Sequence, residues 1–254
     1  MKNTAKKLRS EVTKHFIPSP LAGEGRISTR SVSVRNSGEG FTLAEVIITL
    51  GIIGVVAAVT LPTVVKKYQE KVTVTKVKKV YSMLSQAFML SVKDNGYANE
   101  WNVGNRDTET TANRLTSYIK PYLKIIKDCG TNSGCLEYTE NINLLNGQKH
   151  SVNYDTRNEY YKFILSDGTH IIIRATDNAN YCQGVEGGNS NVCGSIFIDI
   201  NGGKQPNTVG KDIFSFVITP SAIKLNIKDT CYKNSTGWGC SGYIFKNGNM
   251  NYLH

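Results

Sequence analysis

One stretch constrains this chain more than any other. Residues Phe41 to Val65 read FTLAEVIITLGIIGVVAAVTLPTVV, and after Glu45 no charge appears through Val65. At about 1.5 Å of rise per residue, roughly twenty helical residues span about 30 Å, the thickness of a bilayer's hydrocarbon core. A helix is the one single-segment structure that satisfies its own backbone there. Gly51, Gly54 and Pro62 lower helix propensity but are tolerated in lipid, and Pro62 is expected to kink or loosen the helix. Glu45 is the anomaly. A carboxylate at the edge of an apolar span is costly unless it reaches the interface or meets an opposite charge. Residue types alone allow both an interfacial glutamate snorkelling into headgroups and a charge kept for a partner.

Net charge first suggests a different class. The chain of 254 residues carries +10, which points to nucleic acid until the charges are located. Residues 1–40 hold eight basic residues (Lys2, Lys6, Lys7, Arg9, Lys14, Arg26, Arg30, Arg35) and three acidic ones. Residues 66–80 hold six basic residues against Glu70, whereas residues 81–254 are nearly neutral, with 16 basic and 15 acidic. The excess is therefore confined to the two flanks of the apolar stretch, and no specific nucleic-acid partner is expected.

Gly40-Phe41-Thr42-Leu43-Ala44-Glu45, followed by the apolar run and preceded by a basic polar leader, resembles the cleavage and methylation motif of type IV prepilins and type II secretion pseudopilins. Pro62 lies where many such pilins carry a helix-loosening proline. The resemblance covers about residues 39–65, with a looser continuation to about 93. It implies that a membrane prepilin peptidase cuts between Gly40 and Phe41 on the cytoplasmic side, and that Phe41 becomes an N-methylated N-terminus. It further implies that Glu45 faces the Phe41 amine of a neighbouring subunit. Two charges, each costly in lipid, then neutralise one another only at the correct axial stagger, so the pair sets register. The partners implied are the peptidase, other pilin-like subunits, a membrane-embedded assembly platform and the bilayer. The location implied is a single pass through the cytoplasmic membrane with the C-terminal head outside, followed by a pilus at the cell surface or a periplasmic pseudopilus.

A secretory signal peptide is the ordinary alternative, with Val56-Ala57-Ala58 as a small-residue cleavage site. The apolar run continues past that site to Val65, and Glu45 sits inside its start; both oppose this reading. The leader departs from the family pattern in being long. No Met lies between Met1 and Met83, so a shorter product would start at another codon, such as that of Val32 or Val34. Residues 17–40 have the Pro-, Gly-, Ser- and Arg-rich composition of a disordered segment. Topology holds a conflict as well. Three basic residues precede the span closely and six follow it, which by the positive-inside rule would keep the head in the cytoplasm. The processing motif and the cysteines argue for the opposite orientation.

Beyond the span the apolar pattern becomes helical. Val77, Val80, Tyr81, Leu84, Ala87, Phe88 and Val92 form one stripe, so a single helix is expected from Phe41 to about Lys93, stopped at Asp94-Asn95-Gly96. Lys66, Lys67, Lys71, Lys76, Lys78 and Lys79 read as a solvated face, with anionic headgroups or acidic neighbours as alternatives. Four segments follow: leader 1–40, membrane half 41–65, amphipathic half 66–94 and head 95–254. In the head, Thr110–Ile119 reads as a helix and Tyr122–Ile126 as a further turn. Tyr160–Ser166 and Thr169–Ala175 flank the hairpin signal Asp167-Gly168, and Ser195–Ile200, Ile213–Ile218 and Ala222–Ile227 are further strands. The expected class is α+β, a long helix packed on an antiparallel sheet of four or five strands, which is also the pilin roll.

Six cysteines lie beyond the span: Cys129, Cys135, Cys182, Cys193, Cys231 and Cys240. An even number in a translocated head reads as disulfides. Sequence proximity groups them in that order into three pairs, each closing a polar, Gly/Asn-rich loop. Structural zinc is disfavoured, because no C-x₂-C spacing occurs and neither His150 nor His170 is at ligand spacing from a cysteine. Gly237 to Gly242 fits G-x-G-x-x-G by letter but follows no β-α unit, and reads as a tight loop. Asp199, Asn201 and Asp212 resemble parts of a calcium loop, yet full EF-hand spacing is missing, so a structural turn is the first reading and a cation the second. No cofactor is otherwise expected. His15, His150, His170 and His254 accompany no nucleophile motif. Three functions compete: a filament subunit, a binding module using the loops around Cys182–Cys193 and Cys231–Cys240 with Trp238, Tyr232 and Tyr243, and, least supported, a membrane-anchored enzyme.

Overall fold

The computed structural model describes residues 40–105, 108–176, 180–227 and 231–254. The expected leader, including Val32 and Val34, thus lies outside the described residues except for Gly40. Among the described residues the chain divides into two units, 40–51 and Ile52–His254.

The first helix, α1, runs Leu43–Asn95, 53 residues, with Pro62 inside it. It starts and ends two residues later than the apolar pattern suggested. Its end has a local cause: Gly96 adopts φ 78°, and its N–H donates to Val92 O at 2.9 Å, a left-handed stop that suits glycine. Along α1 the buried residues are Val74, Val77, Val80, Leu84, Ala87, Phe88 and Ser91, the spacing of one helical face. A second helix, α2 (Glu109–Ile119), begins at a capping box between Thr108 and Thr111.

Strands β1 (Ile125–Gly130), β2 (Tyr161–Leu165), β3 (His170–Ala175), β6 (Gly194–Asp199), β7 (Ile213–Ile218) and β8 (Ile223–Leu225) form an antiparallel sheet in the order β1-β2-β3-β6-β7-β8. Between β3 and β6, β4 (Gly184–Glu186) and β5 (Asn189–Val192) pair separately. A last helix, α3 (Cys240–Asn247), follows β8. The class is α+β and pilin-like: the long helix packs against this sheet through its buried stripe.

Period-two alternation assigns the two faces of the sheet. Phe163, Ile171, Ile173, Ile196, Ile198, Phe214 and Phe216 join the α1 stripe in one core. Ile172, Phe197 and Ile213 point the other way, into a second cluster closed by Leu136, Ile142, Tyr154 and Tyr160. Every residue of β6 and β7 is buried because both faces are covered.

Three expectations need correction. The main sheet has six strands, not four or five, and β4–β5 adds a hairpin. Tyr122–Ile126 is not a further helical turn: a 3₁₀ turn ends at Tyr122 and β1 starts at Ile125. Being an edge strand, β1 needs no buried alternating face, and its register shifts twice against β2. The Gly237–Gly242 segment is only half a loop, since Cys240 opens α3.

Candidate processing and assembly site

Gly40, Phe41 and Thr42 precede the helix and are exposed, Phe41 by 88%. Gly40 has nothing within 4 Å of where a Cβ would stand. Thr42 caps α1. Its N–H and its hydroxyl each donate to Glu45 Oε2 at 2.9 Å, and the Glu45 N–H donates to Thr42 Oγ1 at 3.2 Å. This is a reciprocal capping box, T-x-x-E, which satisfies two of the donors that a helix N-terminus leaves orphaned. The signal was in the sequence, but Thr42 was not singled out there. The box turns the Glu45 carboxylate back toward the N-terminal end of the helix, at Thr42.

From Phe41 to Val65 every side chain except the half-buried Ala57 is exposed. Among the described residues α1 alone is long and apolar enough to cross a membrane. An unbroken apolar surface of this length requires lipid or other helices to cover it.

In the head, Cys129 is bonded to Cys135, Cys182 to Cys193 and Cys231 to Cys240, and among the described residues no cysteine is free.

Two family models match the chain. The model described as "Family of unknown function (DUF6613)" covers residues 63–249, most of the chain. The chain belongs to that family. The model of the prokaryotic N-terminal methylation motif covers residues 35–61, the prepilin signal of type IV pilins and pseudopilins. Neither a curated protein nor a solved structure matches the chain. This DUF6613 member is thus a membrane-anchored, type IV pilin-like precursor, and its motif implies a prepilin peptidase and other pilin subunits as partners.

The DUF6613 head brings Asp199, Asn201 and Asp212 together. Asp199 accepts the N–H groups of Asn201, Gly202 and Gly203 at 3.0, 3.1 and 2.9 Å. Asp212 accepts those of Asn207 and Thr208 at 2.8 and 2.6 Å, and the Asn201 amide at 3.0 Å. The arrangement is a turn stitched by two carboxylates. A calcium ion here would compete with those N–H groups for the same oxygens, and among the described residues no three His, Cys, Asp or Glu side chains converge as metal ligands. His150 meets the Tyr154 hydroxyl at 2.9 Å, His170 that of Tyr138 at 3.1 Å and His254 the Glu70 carboxylate at 3.1 Å. His15 is outside the described residues.

Burial, reinforced by the Asp199 charge, raises the Asp212 pKa from 3.8 to about 6, against the opposing pull of its N–H donors. The folded value thus exceeds the unfolded one. Its contribution to stability is complete below the unfolded value and is lost as pH rises through about 6. The loss is about 3 kcal/mol by pH 7. Asp212→Asn lacks this titration. Urea denaturation of both proteins should show the difference between them moving in the variant's favour by about 2 kcal/mol from pH 4 to pH 7. A pH-independent difference would refute the assignment.

Proposed function

We propose that this chain is a structural subunit of a pilus or pseudopilus, cut between Gly40 and Phe41 by prepilin peptidase, methylated at Phe41 and assembled with copies or relatives of itself. One observation carries this reading: an exposed Gly40-Phe41 end lies directly before a capped helix whose Glu45 carboxylate faces that end, and whose next twenty residues, Val46–Val65, are apolar or uncharged. The subunit waits in the bilayer, held by Phe41–Val65. An assembly platform extracts it, and the apolar helices bundle in the filament core.

The orientation places the leader inside and the head outside the cytoplasm. Three disulfides support an oxidising location for the head. The role is mechanical rather than enzymatic: the buried charged groups Asp155, Lys162, Asp199 and Asp212 devote their hydrogen bonds largely to backbone groups, as a scaffold does.

Intact-mass spectrometry of the membrane protein, expressed with a prepilin peptidase, tests the reading. The expected chain begins at Phe41 and is one methyl group heavier than the bare sequence. A start near Thr60, or an uncut chain, overturns it.

A further inference from the structure

A cavity of about 340 Å³ opens on the side of the sheet that α1 does not cover. Two loops, each closed by its own disulfide, meet there. The Cys182–Cys193 loop supplies Glu186 and Gly187, and the Cys231–Cys240 loop supplies Trp238. The first loop is anchored to the strand leading into the second: the Ile227 N–H donates to Gly187 O at 2.8 Å, and Asn189 Nδ2 donates to Leu225 O at 3.0 Å. Neither Tyr232 nor Tyr243 lines the cavity.

Its walls are aromatic. Trp238 stands edge-on to Phe197, with 5.3 Å between ring centroids, and Tyr154 stands edge-on to Tyr160 at 4.8 Å. Polar groups are few and fixed. Arg174 Nη2 donates to Glu186 Oε2 at 3.0 Å, and both side chains are largely buried, 18% and 27% exposed. Asn226 is held by its donation to Ser215 Oγ at 2.9 Å. Burial lowers the His150 pKa, so the imidazole beside the Tyr154 hydroxyl is neutral at physiological pH.

We propose that this cavity binds a neutral saccharide, one or two rings of an oligosaccharide. A sugar ring presents a C–H face, which aromatic walls accept, and a rim of hydroxyls, which need both donors and acceptors. Arg174, Glu186 and Asn226 offer both kinds. Charge selects among ligand classes. The Arg174–Glu186 pair cancels, so neither an anion nor a quaternary ammonium finds a net opposite charge. A wholly apolar ligand would strip water from that pair and return no hydrogen bonds, which is unfavourable. The volume lies at the low end of small-molecule sites, which run from about 300 Å³. Two disulfide-closed loops reduce the ordering cost of binding. The proposal extends the binding-module reading and is independent of filament assembly, so either can fail without the other.

Isothermal titration with cellotriose, maltotriose and N-acetylchitotriose tests it, using the full chain in lipid nanodiscs so that no sugar detergent competes. At least one probe should bind below about 1 mM. Trp238→Ala should weaken that binding about tenfold or more. Trp238 also packs on Phe197, so Glu186→Gln, which keeps the shape, serves as the second variant. It removes the counter-charge of Arg174 and so lowers Tm, but the chain should still unfold cooperatively and should bind about fivefold or more weakly. No binding of any probe at about 10 mM overturns the proposal. So does parental affinity in both variants, or preference for sulfated or sialylated glycans over the neutral probes.

Discussion

Replacing Glu45 by Gln is expected to leave the chain inserted, capped and processed, yet to cut the yield of assembled filaments about tenfold or more. The capping box is the reason for choosing Gln. Glu45 Oε2 accepts from the N–H and hydroxyl of Thr42, and glutamine at this position of a capping box still offers a carbonyl oxygen to both. The local helix start therefore survives, and only the charge disappears. If that charge compensates the freed amine of Phe41 on a neighbouring subunit, the amine is left unpaired in an apolar surrounding at each step of assembly. Glu45→Ala removes cap and charge together, so it should lose assembly to at least the same degree and fray the first turn as well. The measurement is the ratio of sheared filament to membrane-bound subunit on immunoblots, with N-terminal mass as the check on processing. If Gln assembles like the parent and Ala does not, the glutamate acts as a cap and the register argument fails.

The helix and the buried strands were legible because one physical signal dominates each. In α1 no charge interrupts Val46–Val65, and beyond it the buried positions Val77, Val80, Leu84, Ala87 and Phe88 repeat at helical spacing. Strands β3, β6 and β7 are short apolar runs rich in Ile, Val and Phe with turn residues between them. Where the signal weakens, tertiary context decides. The edge strand β1 reads IIKDCG, half of it exposed, and its hydrogen-bonding partner β2 lies far along the chain. In α3, Cys240-Ser241-Gly242 reads as a loop, but the Cys231 disulfide and the burial of Ile244 in the main core hold it helical. The short hairpin β4–β5 has no apolar alternation, and its pairing follows from closure of the Cys182–Cys193 loop. At the candidate site, Gly40, Phe41 and Glu45 stood out in the sequence through their resemblance to the prepilin motif. The role of Thr42 was readable too, as T-x-x-E before an apolar run. The meeting of Glu186 with Trp238 was not, since it depends on how two loops fold over one sheet face.

Asp155→Ala is expected to destabilise the head by about 3–5 kcal/mol, the largest single-residue effect on stability anticipated here. The side chain is almost fully buried, and its two oxygens accept three backbone N–H groups: Gly134 at 2.6 Å, Cys135 at 3.0 Å and Leu136 at 2.7 Å. Burial by itself would raise the Asp155 pKa, but these three donors and the nearby Lys162 outweigh it and hold the carboxyl below its ordinary value. Lys162 is fully buried and donates to the carbonyl oxygens of Thr131 and Asp155 at 3.1 and 2.9 Å. The carboxylate thus ties residues 134–136 to the far end of their own segment, the ammonium ties that segment to β2, and the segment carries the Tyr154 ring that closes the second core. Alanine leaves three N–H groups without an acceptor and a buried ammonium without its counter-charge. Asp128→Ala is the informative control. Its bond to Lys120 is as short, 2.7 Å, but both side chains are more than a third exposed, so water replaces the partner and the expected loss is below about 1 kcal/mol. Urea denaturation of the two variants at pH 7 should rank them clearly. Equal losses would mean that burial of the Asp155 network does not hold the segment in place.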